Sequence, residues 1–142
     1  MIVVDINVLI YAYGSDFSQH SKARAWVESA FSSAEPVRIP WAVVHAFLRL
    51  MTKGKILANP LTIAEAVSIV NEWFTSGATS LIDPGPRYWD VLQELLMSSN
   101  VRGDLVADAH IAALAIENDA VVCTADRDFN RFPGVRVFNP VA

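Results

Sequence analysis

Ile2-Val3-Val4-Asp5 at one end of the chain and Val121-Val122-Cys123-Thr124-Ala125-Asp126 near the other each run from a short apolar segment into an aspartate. An uninterrupted apolar run of this length reads as a parallel strand buried on both faces, since a half-exposed strand would alternate with polar residues. In open α/β sheets the site forms beyond the carboxyl ends of the strands, so Asp5 and Asp126 are expected on one rim. A third stretch, Asp104-Leu105-Val106-Ala107-Asp108-Ala109-His110, sets two more acids four residues apart. If the helix starts by residue 104 they share a face at its N-terminal end, where the helix dipole favours negative charge. Several carboxylates on one rim repel one another, and a hard divalent cation such as Mg²⁺ held between them is the simplest way to keep them ionised.

Working outward, the remaining segments fill in an alternating pattern. Asn7 to Tyr13 reads as a short helix stopped by Gly14-Ser15. Ser18 to Phe31 follows with apolar residues at helical spacing. Val37 to Ile39 reads as a strand, with Pro40 in the first turn of a helix reaching about Met51. Pro60 and Thr62 announce a helix whose apolar side carries Ala66, Val67, Ile69, Val70, Trp73 and Phe74. Thr79 to Ile82 reads as a strand, and Tyr88 to Met97 as an amphipathic helix after the Pro84-Gly85-Pro86 turn. Leu105 to Glu117 is a helix with alanines at 107, 109, 112, 113 and 115, small enough to let neighbours approach closely. Ala120 to Cys123 and Val135 to Phe138 close the set. Strands separated by helices imply parallel crossovers and a sheet covered on both faces. The expected class is α/β: three layers around a central, mainly parallel sheet, in a single domain spanning residues 1–142.

Composition agrees. The 142 residues are 53% hydrophobic with four Trp and seven Phe, which excludes a disordered chain and fits a thick core. No apolar run reaches the roughly 18 residues that span a membrane. Met1 leads directly into a strand, without signal-peptide regions, so a cytoplasmic protein with no membrane partner is expected. The one cysteine, Cys123, sits in an apolar run and reads as an inert buried thiol. A net charge of −4 is low for a protein that touches nucleic acid. Leaving out Asp5, Asp104, Asp108, Asp126 and Asp128 brings it to +1, so the rest of the surface is nearly balanced.

Individual residues admit more than one reading. Asp104 after Gly103 is either a helix N-cap or part of the acidic group. Asp108 lies among alanines and apolar residues, where an unpaired carboxylate is costly, which points to a functional role. Asp128 either joins the cluster or pairs with Arg127 or Arg131 in a plain loop. Arg49, with Lys53 and Lys55 just after it, either guides an RNA backbone or forms a solvated helix end. Trp41, Trp73 and Trp89 read as core or interface.

Four segments match one known pattern from end to end. Val-Val-Asp-Ile-Asn-Val-Leu-Ile-Tyr-Ala at 3–12, Pro-Trp-Ala-Val-Val-His-Ala-Phe-Leu-Arg-Leu-Met-Thr at 40–52, Leu-Val-Ala-Asp-Ala-His-Ile-Ala-Ala-Leu-Ala at 105–115 and Thr-Ala-Asp-Arg-Asp-Phe-Asn-Arg-Phe-Pro-Gly-Val at 124–135 resemble the PIN domain. They look most like the VapC toxins of bacterial toxin-antitoxin pairs. The resemblance implies a Mg²⁺- or Mn²⁺-dependent endoribonuclease acting on structured RNA, tRNA or rRNA. It also implies a homodimer and a cognate VapB-like antitoxin. Asp5, Asp108 and Asp126 match family acids, Asp128 a less uniform one, and Asn7 and Thr124 match polar helpers.

One position departs from the pattern. The family's second acid, usually Glu, aligns near Ala46, and no acid occurs between Glu35 and Glu65. Asp104 is the leading candidate to compensate and His45 the other, although a lone His on an apolar helix more often sits in a core. Two further functions follow from this pattern: a PIN-fold binding module that lost catalysis with its Glu, and a phosphotransfer domain using Asp5 as nucleophile. The second lacks the acid such sites place two residues on, where this chain has Asn7.

Overall fold

A computed structural model describes all 142 residues. Strand β1 (Ile2–Val4) leads into helices α1 (Ile6–Tyr13) and α2 (His20–Ala30), then β2 (Val37–Pro40). Helices α3 (Trp41–Met51) and α4 (Ile63–Trp73) lead to β3 (Thr79–Ile82). Helices α5 (Tyr88–Ser98) and α6 (Leu105–Glu117) precede β4 (Val121–Cys123), and a 3₁₀ turn at Arg127–Arg131 precedes β5 (Arg136–Phe138). The expected elements form within a residue or two of their expected bounds. Two local details differ: Pro40 ends β2 in extended conformation instead of opening the helix, and the stretch after Asp126 is a 3₁₀ turn, not a plain loop.

All four strand pairings are parallel, in the order β3-β2-β1-β4-β5. The chain steps one way from β1 to β3, then returns past β1 to β4. Right-handed crossovers therefore put α1 to α4 on one face and α5 with α6 on the other. The order reverses between β1 and β4, the crevice where open α/β sheets bind ligands. Val4 pairs with Cys123, and the Asp5 N–H donates to the Cys123 carbonyl at 3.0 Å. The two central strands thus end level, which brings residues 5 and 124 side by side.

The core follows the apolar runs. Val3, Val4, Val122 and Cys123 are fully buried, and burial pushes the Cys123 thiol far above its usual range, as expected for an inert group. On the α1–α4 face the Trp73 indole packs edge-on to Phe47 at 4.7 Å and donates its N–H to the Tyr13 hydroxyl at 2.9 Å. On the other face α6 is buried on every side through its middle, with Ala109, Ala112, Ala113, Leu114 and Ala115 at 0% exposure. A helix enclosed between sheet and α5 needs apolar residues all round and small ones at the closest approaches. The Glu117 carboxylate at its end accepts the Gly85 and Arg87 N–H groups at 2.8 and 2.9 Å, tying down the turn before α5. A Cβ on Gly85 would stand 2.5 Å from that carboxylate, so a larger residue there would push the Glu117 side chain off its two N–H donors.

Candidate active site

Asp5 leaves β1 in extended conformation and caps α1, its Oδ1 accepting the Ile6 N–H at 2.8 Å. Its Oδ2 accepts the Thr124 hydroxyl at 2.8 Å and the Asn7 amide at 3.2 Å. Because the Thr124 proton goes to Asp5, its lone pairs accept the Asp126 N–H at 3.0 Å and the Asn7 amide at 3.2 Å. The Asn7 carbonyl oxygen accepts the Ala125 N–H at 3.1 Å, which completes a stitch between the ends of β1 and β4. Asp126 then accepts the Asp128 N–H at 2.8 Å and opens the 3₁₀ turn. Asp108 arrives from the opposite face, in the first turn of α6.

Carboxylate oxygens of Asp108, Asp126 and Asp128 lie within 4.8 Å of one another. Asp108 pays for this in charge. Burial first, then repulsion from Asp5, Asp126 and Asp128, raises it from 3.8 to about 7, with Arg131 pulling the other way. Asp5 is also raised, chiefly by burial, against the opposing hydrogen bonds from Thr124 and Ile6. Its three donors leave one lone-pair position free of the four a carboxylate offers. An all-oxygen set with excess negative charge and little compensation suits a hard divalent ion such as Mg²⁺ or Mn²⁺. Arg131, 3.6 Å from Asp128, is the one cation paired to the group.

The family profile described as PIN domain matches residues 2–135. The chain belongs to the PIN-domain family. Among curated relatives this PIN domain is 37% identical over 142 residues to Ribonuclease VapC37 of Mycobacterium tuberculosis, covering 100% of this chain and 99% of the relative. It is 34% identical over 141 residues to Ribonuclease VapC33 of the same species, covering 99% of each. Two solved structures share the fold. They are VapBC2 from Rickettsia felis bound to a promoter DNA fragment (TM-score 0.68, 18% identity, 98% of both chains) and DNA-bound VapBC from Salmonella typhimurium (TM-score 0.69, 16% identity, 98% and 97%).

The PIN domain's remaining candidates fall into place around the acids. Ala46 does face the cluster: with Ala42, Val43 and Ala107 it lines an apolar recess of about 100 Å³ against Asp5 and Asp108. Asp104 holds the N-cap position of α6, exposed and with helical backbone angles; its side chain makes no capping bond and is not among the three whose oxygens converge. His45 is exposed beside the Trp41 ring at 6.2 Å, so the core reading of it is corrected and it too lies outside the cluster. Arg49 continues the Ala42–Ala46 side of α3 by helical spacing and is exposed, as are Lys53 and Lys55. Trp73 is core, whereas Trp41 and Trp89 are 48% and 60% exposed. Asn130 and Asn139, which line a cavity with Asp126, escaped the sequence reading. Asn139 directly follows β5, so the strand-end rule that found Asp5 reaches it as well.

Proposed function

We propose that this PIN domain is a metal-dependent endoribonuclease and the toxin of a toxin-antitoxin pair, hydrolysing phosphodiester bonds of structured RNA such as tRNA or rRNA. The observation that carries the reading is the convergence of Asp108, Asp126 and Asp128 oxygens within 4.8 Å at the sheet's switch point, beside buried Asp5. The ribonuclease names of relatives above 30% identity support the substrate class. The VapBC assemblies among its structural neighbours support a VapB-like protein partner. No helix is long and apolar enough to cross a membrane. Trp89 and Met97 on α5, 60% and 83% exposed, are apolar surface suited to a homodimer or antitoxin contact.

Asp5, Asp108, Asp126 and Asp128 would hold one or two ions. Bound Mg²⁺ or Mn²⁺ supplies Lewis acidity and an activated water. The protein's share is to fix the acids. Thr124 and Asn7 orient Asp5 and the Asp126 backbone, and Asp108, in its carboxylate form, would complete the set of oxygens offered to an ion. Arg49, Lys53 and Lys55 would lead the RNA backbone to the rim. Purified protein freed of antitoxin should cleave RNA only with Mg²⁺ or Mn²⁺, and Asp5→Asn, Asp108→Asn and Asp126→Asn should each abolish cleavage with folding retained. Equal cleavage by all four proteins in EDTA would sink the nuclease reading. Expressed alone the chain should arrest growth, with co-expression of the neighbouring antitoxin-like gene relieving it.

The recess at Ala46 favours one second reading, a PIN-fold binding module weakened in catalysis. Ala46→Glu fills that recess with a carboxylate beside Asp5 and Asp108, so metal should bind more tightly and cleavage at low Mg²⁺ should rise. Asp104→Asn should do little in either background, since its exposed side chain is not among the converging acids. Calorimetric Mn²⁺ titration of wild type, both variants and the double variant tests this, and strong coupling between the two positions would restore Asp104 as a ligand.

A further inference from the structure

One step along the rim from the acids, about 4.8 Å in strand spacing, the carboxyl ends of β4 and β5 enclose a cavity of about 220 Å³. Its lining comes from Thr124, Ala125 and Asp126 after β4, from Arg127 and Asn130 of the 3₁₀ turn, and from Val137 and Asn139 at β5. Thr124 and Asp126 in its lining are engaged with the acidic site, whereas the side chains of Arg127 and Asn130 are uncommitted. The Arg127 guanidinium makes no hydrogen bond or ion pair, since Arg131 takes Asp128, and the Asn130 amide is equally free. Asn139 spends its carbonyl oxygen on the Val141 N–H at 3.0 Å and keeps its NH₂ group for an incoming acceptor. We propose that this cavity receives the base of the nucleotide adjoining the cleaved bond, with Arg127 and Asn130 reading it and guanine preferred.

Three considerations carry the assignment. The cavity shares Asp126 with the acidic group, so a strand whose phosphate lies at the acids has its neighbouring base at the cavity mouth. Proteins read RNA sequence on unstacked bases through their exposed edges, and a rim pocket open at an edge strand admits such a base. An arginine fork matches guanine O6 and N7 better than any other base edge, and an asparagine amide both donates and accepts beside it. Arg127 and Asn130 are thus specificity-determining residues; they take no part in bond breaking. This rests on the ribonuclease reading, and its test reads binding separately from cleavage.

Asp108→Asn protein, which keeps the cavity whole, is mixed in Mg²⁺ with single-stranded RNA octamers of random sequence, and the bound fraction is sequenced. Enrichment of guanine at one position is expected. Adding Arg127→Lys, which keeps the charge and loses the fork, should lower that enrichment about tenfold at little cost in total RNA bound. Adding Asn130→Ala should lower the guanine enrichment by less than Arg127→Lys does, because the fork is kept. Melting curves establish that each variant is folded. No positional enrichment, or the same enrichment in all three proteins, overturns the proposal. Cleavage of the same pool by wild type is scored alone, and its absence counts against the nuclease activity, not against the base pocket.

Discussion

At the scale of single residues, the site is a set of hydrogen bonds spent on holding carboxylates in place. Thr124 is the hinge of that set: buried, donating to Asp5 and accepting from Asp126 and Asn7. Thr124→Val keeps the shape and removes all three bonds, so metal affinity or cleavage should fall roughly 10- to 100-fold, as for other residues that orient ligands. Mn²⁺ titration and initial rates would measure it, and a loss under twofold would mean that Asp5 needs no support. Thr79 is the opposite case, a buried hydroxyl with no partner in the protein. Thr79→Val should be neutral or stabilising by up to about 1 kcal/mol in urea unfolding, since it removes a desolvated donor without opening a cavity. The meeting of Asp5, Asp108 and Asp126 was legible because the first and last end apolar runs and Asp108 is a lone acid among alanines in a helix. Asp104 was harder to read, because its spacing from Asp108 puts it at the very start of α6 without saying whether the side chain caps the helix or turns toward the acids.

At the scale of elements, the helix that carries Asp108 is positioned by its smallness. Ala112, fully buried in α6, leaves no room for a larger side chain between sheet and helix. Ala112→Leu should cost about 1–3 kcal/mol by overpacking. It should also reduce cleavage more than the stability loss explains, because α6 can relax only by moving Asp108 away from Asp126. Comparing rates well below the melting temperature separates the two effects. The strands and long helices were legible because their burial writes a period of two, a period of 3.6 or an unbroken apolar run into the chain. The 3₁₀ turn at Arg127–Arg131 was not, since five residues held by local bonds carry no such period. The cavity it covers was hidden for the same reason.

At the scale of the whole molecule, the acids set how stability responds to pH. Asp108 titrates near 7 when folded and at 3.8 when free, so between those values the metal-free folded state keeps a proton that the unfolded chain has released. Stability in EDTA should therefore fall as pH rises from about 4 to about 7 and level off above. Asp108→Asn should flatten that slope, and urea midpoints at several pH values would test it; a slope shared by both proteins would assign it elsewhere. Metal binding should release protons near neutrality for the same reason. The pairing of β1 with β4 has a further consequence during synthesis. Asp5 and Thr124, joined by a hydrogen bond, lie 119 residues apart, so the site spans nearly the full chain. At about 5–20 residues per second the ribosome needs roughly 6–24 s to bridge that interval. Until β4 emerges, the nascent chain holds Asp5 without Asp126 or Asp128 and cannot cut RNA. A product truncated before residue 120 should be harmless for the same reason, and the proposed nuclease would become active only when its synthesis is almost complete.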